Sequence, residues 1–135
     1  MILIDLNVLL DVLQKRQPHF ETSAALIDQV LATETEGCIP AHAVTTIHYL
    51  VSRYAGRSSA NRAIDWLMAH FGIAPVSQNE LVRARNLDWK DFEDAVVAAT
   101  AERHRCSAII TRNINDFRAS PIPARTPEEY LSLKN

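Results

Sequence analysis

The chain has 135 residues, 47% of them hydrophobic and 22% charged, with 14 Lys and Arg against 16 Asp and Glu. A chain of this length buries roughly two-thirds of its unfolded surface, so one domain spanning 1–135 needs no disulfide or metal staple. The net charge of −2 excludes attraction of the whole protein to nucleic acid, leaving any such contact to a local patch. Two cysteines, Cys38 and Cys106, are too few for a disulfide scaffold and lack metal-ligand spacing, so buried free thiols are expected. No apolar run reaches membrane-spanning length, and Met1-Ile-Leu-Ile-Asp5 lacks the basic start of a signal peptide. A cytoplasmic protein with no membrane partner is therefore expected.

Ile2-Leu3-Ile4 is a β-favouring run without alternation, which suits a strand buried on both faces. Asp5 ends it, and Leu6 to Leu13 reads as a helix. Pro18 suits the first turn of a second helix, where Phe20, Ala24, Ile27 and Leu31 recur at helical spacing. Gly37 to Pro40 is the next strand, followed by a helix from about Ala43 to Arg53 that Gly56 stops. Ser58 or Ser59 is placed to cap another helix, which Gly72 ends. Ile73 to Val76 is a weak strand that Pro75 assigns to an edge. Ser77-Gln-Asn-Glu80 and Thr126-Pro-Glu-Glu129 both have the form of a capping box. Between them fall a helix from near Asp91 to His104, a strand at Ser107–Thr111, and a short strand expected at Ile122 between prolines. Strands alternating with helices predict a three-layer α/β/α fold around a parallel sheet.

In such sheets ligands bind beyond the carboxyl ends of the strands, near a switch in strand order. Asp5 and Asn7 follow the first strand; Arg112, Asn113 and Asp116 follow the strand ending at Thr111; His42, Thr45 and Thr46 follow the second. Asp94 lies one turn into an alanine-rich helix, where a carboxylate is costly to bury unless neutralised. Asp91, three residues earlier, projects from the same helical face, whereas Glu93 points into solvent. Oxygen ligands dominate this set, which suits Mg2+ or Mn2+ and the hydrolysis of a phosphodiester. Structural alternatives remain open: Asp5 and Asn7 as helix caps, Asp91 as a partner of the helix dipole, Asp116 as a turn residue. Trp66 and Trp89 read as core or boundary aromatics. Arg53, Arg57 and Arg62 read as solvated helix charges or as a basic rim.

The segments Ile4-Asp5-Leu-Asn7-Val-Leu-Leu-Asp11, Ile39 to Tyr49, Asp91-Phe-Glu-Asp94-Ala and Ile110 to Phe117 occur in order along the chain. Together they resemble the PIN-domain family, found in bacterial toxins of the VapC type and in RNA-processing enzymes. The resemblance implies an Mg2+- or Mn2+-dependent ribonuclease, a small antitoxin partner and a homodimer. By the same resemblance Asp5 is the first metal ligand, Asp94 the third acid, and Asp116 and Asp91 are neighbouring ligands. Asn7 would support Asp5 by hydrogen bonds, and Thr111 and Asn113 would form a polar fourth corner. The family's glutamate after strand two is absent, which leaves Thr46 or His48 to stand in. The alternative is a catalytically weakened module that binds RNA or protein. Phosphotransfer folds fit less well: Asn7 replaces a second aspartate, and no lysine follows the Thr111 strand.

Overall fold

The computed structural model describes residues 1–134. The elements run β1 (Ile2–Ile4), α1 (Leu6–Leu13), α2 (Phe20–Ala32), β2 (Gly37–Pro40), α3 (Ala41–Ala55) and α4 (Arg57–His70). They continue with β3 (Gly72–Ala74), α5 (Gln78–Leu87), α6 (Phe92–Arg103), β4 (Ala108–Ile110), a 3-10 turn (Ile114–Phe117), β5 (Ala124–Arg125) and α7 (Pro127–Lys134). The sheet order is β3-β2-β1-β4-β5, and every neighbouring pair is parallel. Chain order reverses at β1, which pairs with β2 on one side and β4 on the other. The crevice between the ends of β1 and β4 is thus the topological switch point.

Alternation along the strands divides the core. Ile2, Ile4, Ile39 and Ile110 pack with α1, α2, α3, α4 and Tyr130 of α7 on one face. Leu3, Cys38 and Ile109 pack with Val97, Ala98 and Ala101 of α6 on the other, so the fold is a three-layer α/β/α sandwich. Ala95 through Ala101 are all buried because α6 lies between the sheet and α5, where Ala84 meets Ala95 and Ala99. Small residues let both neighbours approach. Cys38 and Cys106 are buried free thiols with their sulfurs 3.7 Å apart.

Local expectations fail at four points. Pro18 lies in the turn before α2, after a cis peptide bond, and does not enter the helix. Gly56, at φ 92°, reverses the chain so sharply that α4 begins at Arg57; Ser58 and Ser59 fall inside its first turn and accept hydrogen bonds from Arg62 instead of capping. Gly72 opens β3, while α4 has already ended at His70. Ile122 is held in a turn by Ser120; hydrogen bonding to β4 starts at the Pro123 carbonyl, which accepts from the Ile109 N–H at 2.9 Å, and paired residues start at Ala124. Both capping boxes form: Ser77 with Glu80, and Thr126 with Glu129 at 3.1 Å in each direction.

Candidate active site

Asp5 occupies the turn from β1 into α1. It stands in the N-cap position, yet its side chain makes no capping hydrogen bond. Its Oδ2 instead accepts a hydrogen bond from the Thr111 hydroxyl at 2.9 Å, across the switch point. The Thr111 oxygen in turn accepts from the Asn113 backbone N–H at 3.2 Å, which starts the 3-10 turn carrying Asp116. Burial pushes the Asp5 pKa up. Hydrogen bonds from Thr111 and the Leu6 amide and the charge of Arg112 oppose that rise, and the charge of Glu93 adds to it.

Asp91 is the N-cap of α6, one residue ahead of the helix, and its carboxylate lies beside that of Asp94 as the spacing implies. Its Oδ1 accepts from the Asp94 backbone N–H at 3.1 Å. Partial burial first, and then the charges of Asp91, Asp5 and Asp116, raise the Asp94 pKa to about 7. The charges of three carboxylates from three segments therefore converge on Asp94 at one end of the sheet.

Other residues meet the sequence expectations only in part. Glu93 is exposed, as expected, though its charge still reaches Asp5 and His42. Asn7 is half-buried in the first turn of α1 and makes no hydrogen bond to Asp5. Thr46 donates back to the His42 carbonyl at 3.4 Å within α3. His48 bonds Asn61 of α4 through Nε2 at 2.8 Å, so it serves the α3–α4 hairpin and does not replace the missing glutamate. The reason is helical geometry. His48 lies six residues, about 9 Å, along α3 from the first-turn residue His42, which follows directly on β2.

His42 and Arg112, which the sequence places past strand ends without a role, carry signals of their own. Among the described residues neither ring nitrogen of His42 has a hydrogen-bond partner, and burial lowers its pKa. Arg112 follows Thr111 and places Nε 2.9 Å from Oδ2 of the fully buried Asp11, whose same oxygen accepts from Ser23 at 3.1 Å. The Arg112 N–H does not point squarely at that oxygen, and Asp11 Oδ1 stays unbonded, so the contact is ionic rather than a formed hydrogen bond. Arg53 stacks on Tyr49 and bonds its hydroxyl, a local contact within α3.

Comparison with known proteins agrees with this geometry. A model of the PIN domain matches residues 1–115. Over 99% of its length the chain is 25% identical to Ribonuclease VapC1 of Aquifex aeolicus (strain VF5), covering 95% of that protein. It is similar to a toxin–antitoxin complex from Klebsiella pneumoniae, with TM-score 0.73, 25% identity, and coverage of 94% of this chain and 98% of that one. It also shares the fold of VapBC2 from Rickettsia felis, solved bound to a promoter DNA fragment. There the TM-score is 0.75 at 15% identity, over 93% of this chain and 98% of that one. A match over residues 1–115, joined to this strand order, makes the chain a member of the PIN-domain family.

Proposed function

We propose that this chain is a divalent-metal-dependent endoribonuclease acting in the cytoplasm as the toxin of a toxin–antitoxin pair. One observation carries the reading. Asp94 is pushed to about 7 by burial and by three other carboxylates, a crowding that a bound cation relieves. The relative named as a ribonuclease and the similar toxin–antitoxin complex support the activity and the partner.

The donor set fits the metal. Among the described residues no group of three or more His, Cys, Asp or Glu side chains is gathered closely enough to hold a metal ion. Mg2+ does not require such a group, since it binds through one or two carboxylates and keeps waters and phosphate oxygens for its other positions. Asp5 and Asp94 would hold the ion, with Asp116 and Asp91 as the adjoining acids. When bound, it supplies an activated water and charge neutralisation at the phosphodiester.

The protein's own groups prepare that site. The Thr111 hydroxyl and the Leu6 amide hold the Asp5 carboxyl in place at the end of β1. Asp91, bonded to the Asp94 amide, sets the start of α6 and so the height of the Asp94 carboxyl. Arg112 offsets part of the negative charge at Asp5. Asp94 must shed its proton before it serves as a ligand, which ties the site to neutral or higher pH. Glu93 adds a negative charge beside Asp5 from a segment other than the helix that lacks the glutamate.

The test is cleavage of a labelled single-stranded RNA in Mn2+ or Mg2+, with EDTA as control. Activity is expected in metal and lost in EDTA, in Asp5→Asn and in Asp94→Asn. Undiminished cleavage in both variants would overturn the assignment. The toxin role predicts that a small protein encoded beside this gene co-purifies with the chain and suppresses cleavage. Light scattering is expected to return twice the chain mass, for a homodimer.

A further inference from the structure

Beside the acids lies an open cleft of about 770 Å³, within the size range of sites that hold small molecules. Asp91 and Asp116 belong both to its wall and to the group of charges around Asp94, so cleft and acids are continuous. The rest of its lining differs in kind from the acids. Phe92 stands in the cleft with 48% of its surface exposed and joins none of the buried hydrophobic clusters. Trp89 beside it is anchored, edge-on to Phe117 with centroids 5.8 Å apart. Trp89 and Phe92 also line a second hollow of about 220 Å³, so the two rings form a ridge between open spaces.

Two cations share the larger cleft. Lys90 and Arg118 both line it, and neither takes part in an ion pair among the described residues. Arg118 donates to Asn115 Oδ1 at 3.1 Å, a neutral partner that steadies the guanidinium without neutralising it. An exposed ring flanked by unpaired cations is what single-stranded nucleic acid uses: the base stacks and the backbone phosphate is neutralised.

From this juxtaposition we propose that the cleft is a nucleotide subsite for single-stranded RNA. One base stacks on Phe92, and the adjoining phosphate rests on Lys90 and Arg118. The subsite seats the strand so that a neighbouring phosphodiester reaches Asp5 and Asp94. The proposal rests on the ribonuclease reading and assigns to the chain where its substrate is gripped. It also explains how an acidic site on an acidic protein holds a polyanion: the grip lies to one side of the carboxylates.

The experiment measures binding apart from chemistry. Fluorescence anisotropy follows a fluorescein-labelled RNA hexanucleotide of mixed sequence in EDTA, and cleavage of the same RNA is then timed in Mn2+. Phe92→Ala is expected to weaken binding about 5- to 150-fold, the loss of one stacked base. Phe92→Tyr is expected to bind like the parent. In Mn2+, Phe92→Ala is expected to raise KM with kcat little changed, because it removes binding common to substrate and transition state. Lys90→Ala with Arg118→Ala is expected to weaken binding and flatten its salt dependence. Unchanged affinity and KM in Phe92→Ala, in a parent that cleaves RNA, would overturn the subsite and leave the ribonuclease reading standing. Phe92-dependent binding without cleavage in any metal would overturn that reading and leave the subsite. A parent that neither binds nor cleaves overturns both. All three positions are exposed, so melting curves matching the parent are expected to exclude misfolding.

Discussion

The Thr111 hydroxyl donates to Asp5 Oδ2 at 2.9 Å between residues 106 apart in the chain, and both side chains are buried. This bond joins the ends of β1 and β4 where chain order reverses, so it couples the sheet's topology to the site. Removing the donor leaves a buried carboxylate short of a partner. Thr111→Val is expected to lower the free energy of unfolding by about 1–3 kcal/mol in urea denaturation, whereas Thr111→Ser retains the hydroxyl and most of the stability.

Asp94 makes stability depend on pH in a defined direction. Its carboxyl loses a proton near 3.8 in the unfolded chain and near about 7 in the folded one. The folded state therefore holds the extra proton between those values, and the stabilisation present below the lower one is lost as pH rises through the upper one. In EDTA, Asp94→Asn should melt close to the parent at pH 4 and above it at pH 8. A parent that melts higher than the variant at pH 8 would refute the crowding.

Metal affinity follows from the same group. Since Asp94 must be ionised to coordinate, Mn2+ binding by calorimetry is expected to strengthen steeply from pH 6 to pH 8. In Asp94→Asn that rise should vanish along with most of the affinity. A pH-independent affinity in the parent would remove Asp94 from the ligand set.

Asp11 and Arg112 link the end of α1 to the residue after β4, and Ser23 of α2 closes the group. Breaking a buried pair strands a charge, so Asp11→Ala is expected to destabilise the fold by about 3–5 kcal/mol. Arg112→Met in the same chain should recover part of that loss, because no unpaired charge is then buried. Chemical denaturation of both singles and the double variant measures the coupling.

Among the described residues His42 has no partner for either ring nitrogen, and burial lowers its pKa against the opposing charge of Glu93. His42→Met is expected to stabilise the chain by about 1–2 kcal/mol, because an unsatisfied polar group is replaced by an apolar one of similar size. Proton NMR of the parent should show this ring titrating below the usual histidine value.

Elements whose signals are local were readable from the residues. Helix α1 runs from Leu6 to Leu13 and β2 from Gly37 to Pro40, and the Ser77–Glu80 and Thr126–Glu129 boxes form, because propensity and capping act within one turn of chain. Ser58 and Ser59 misled because the reversal at Gly56 depends on how α4 folds back on α3. Ile122 stays out of the sheet because Ser120 engages both its N–H and its carbonyl, so contact with β4 starts at the Pro123 carbonyl.

The sequence by itself determined a parallel α/β sandwich and the position of Asp5 at the end of its first strand, since both follow from hydrophobic runs and from where such sheets leave polar groups. Only the tertiary structure decided the company Asp5 keeps. It brought Thr111 and Arg112 across the switch point, made Asp91 the cap of α6, and left His48 with Asn61. Side-chain direction on a helix depends on how that helix is rotated against the sheet, and packing across the whole core sets that rotation.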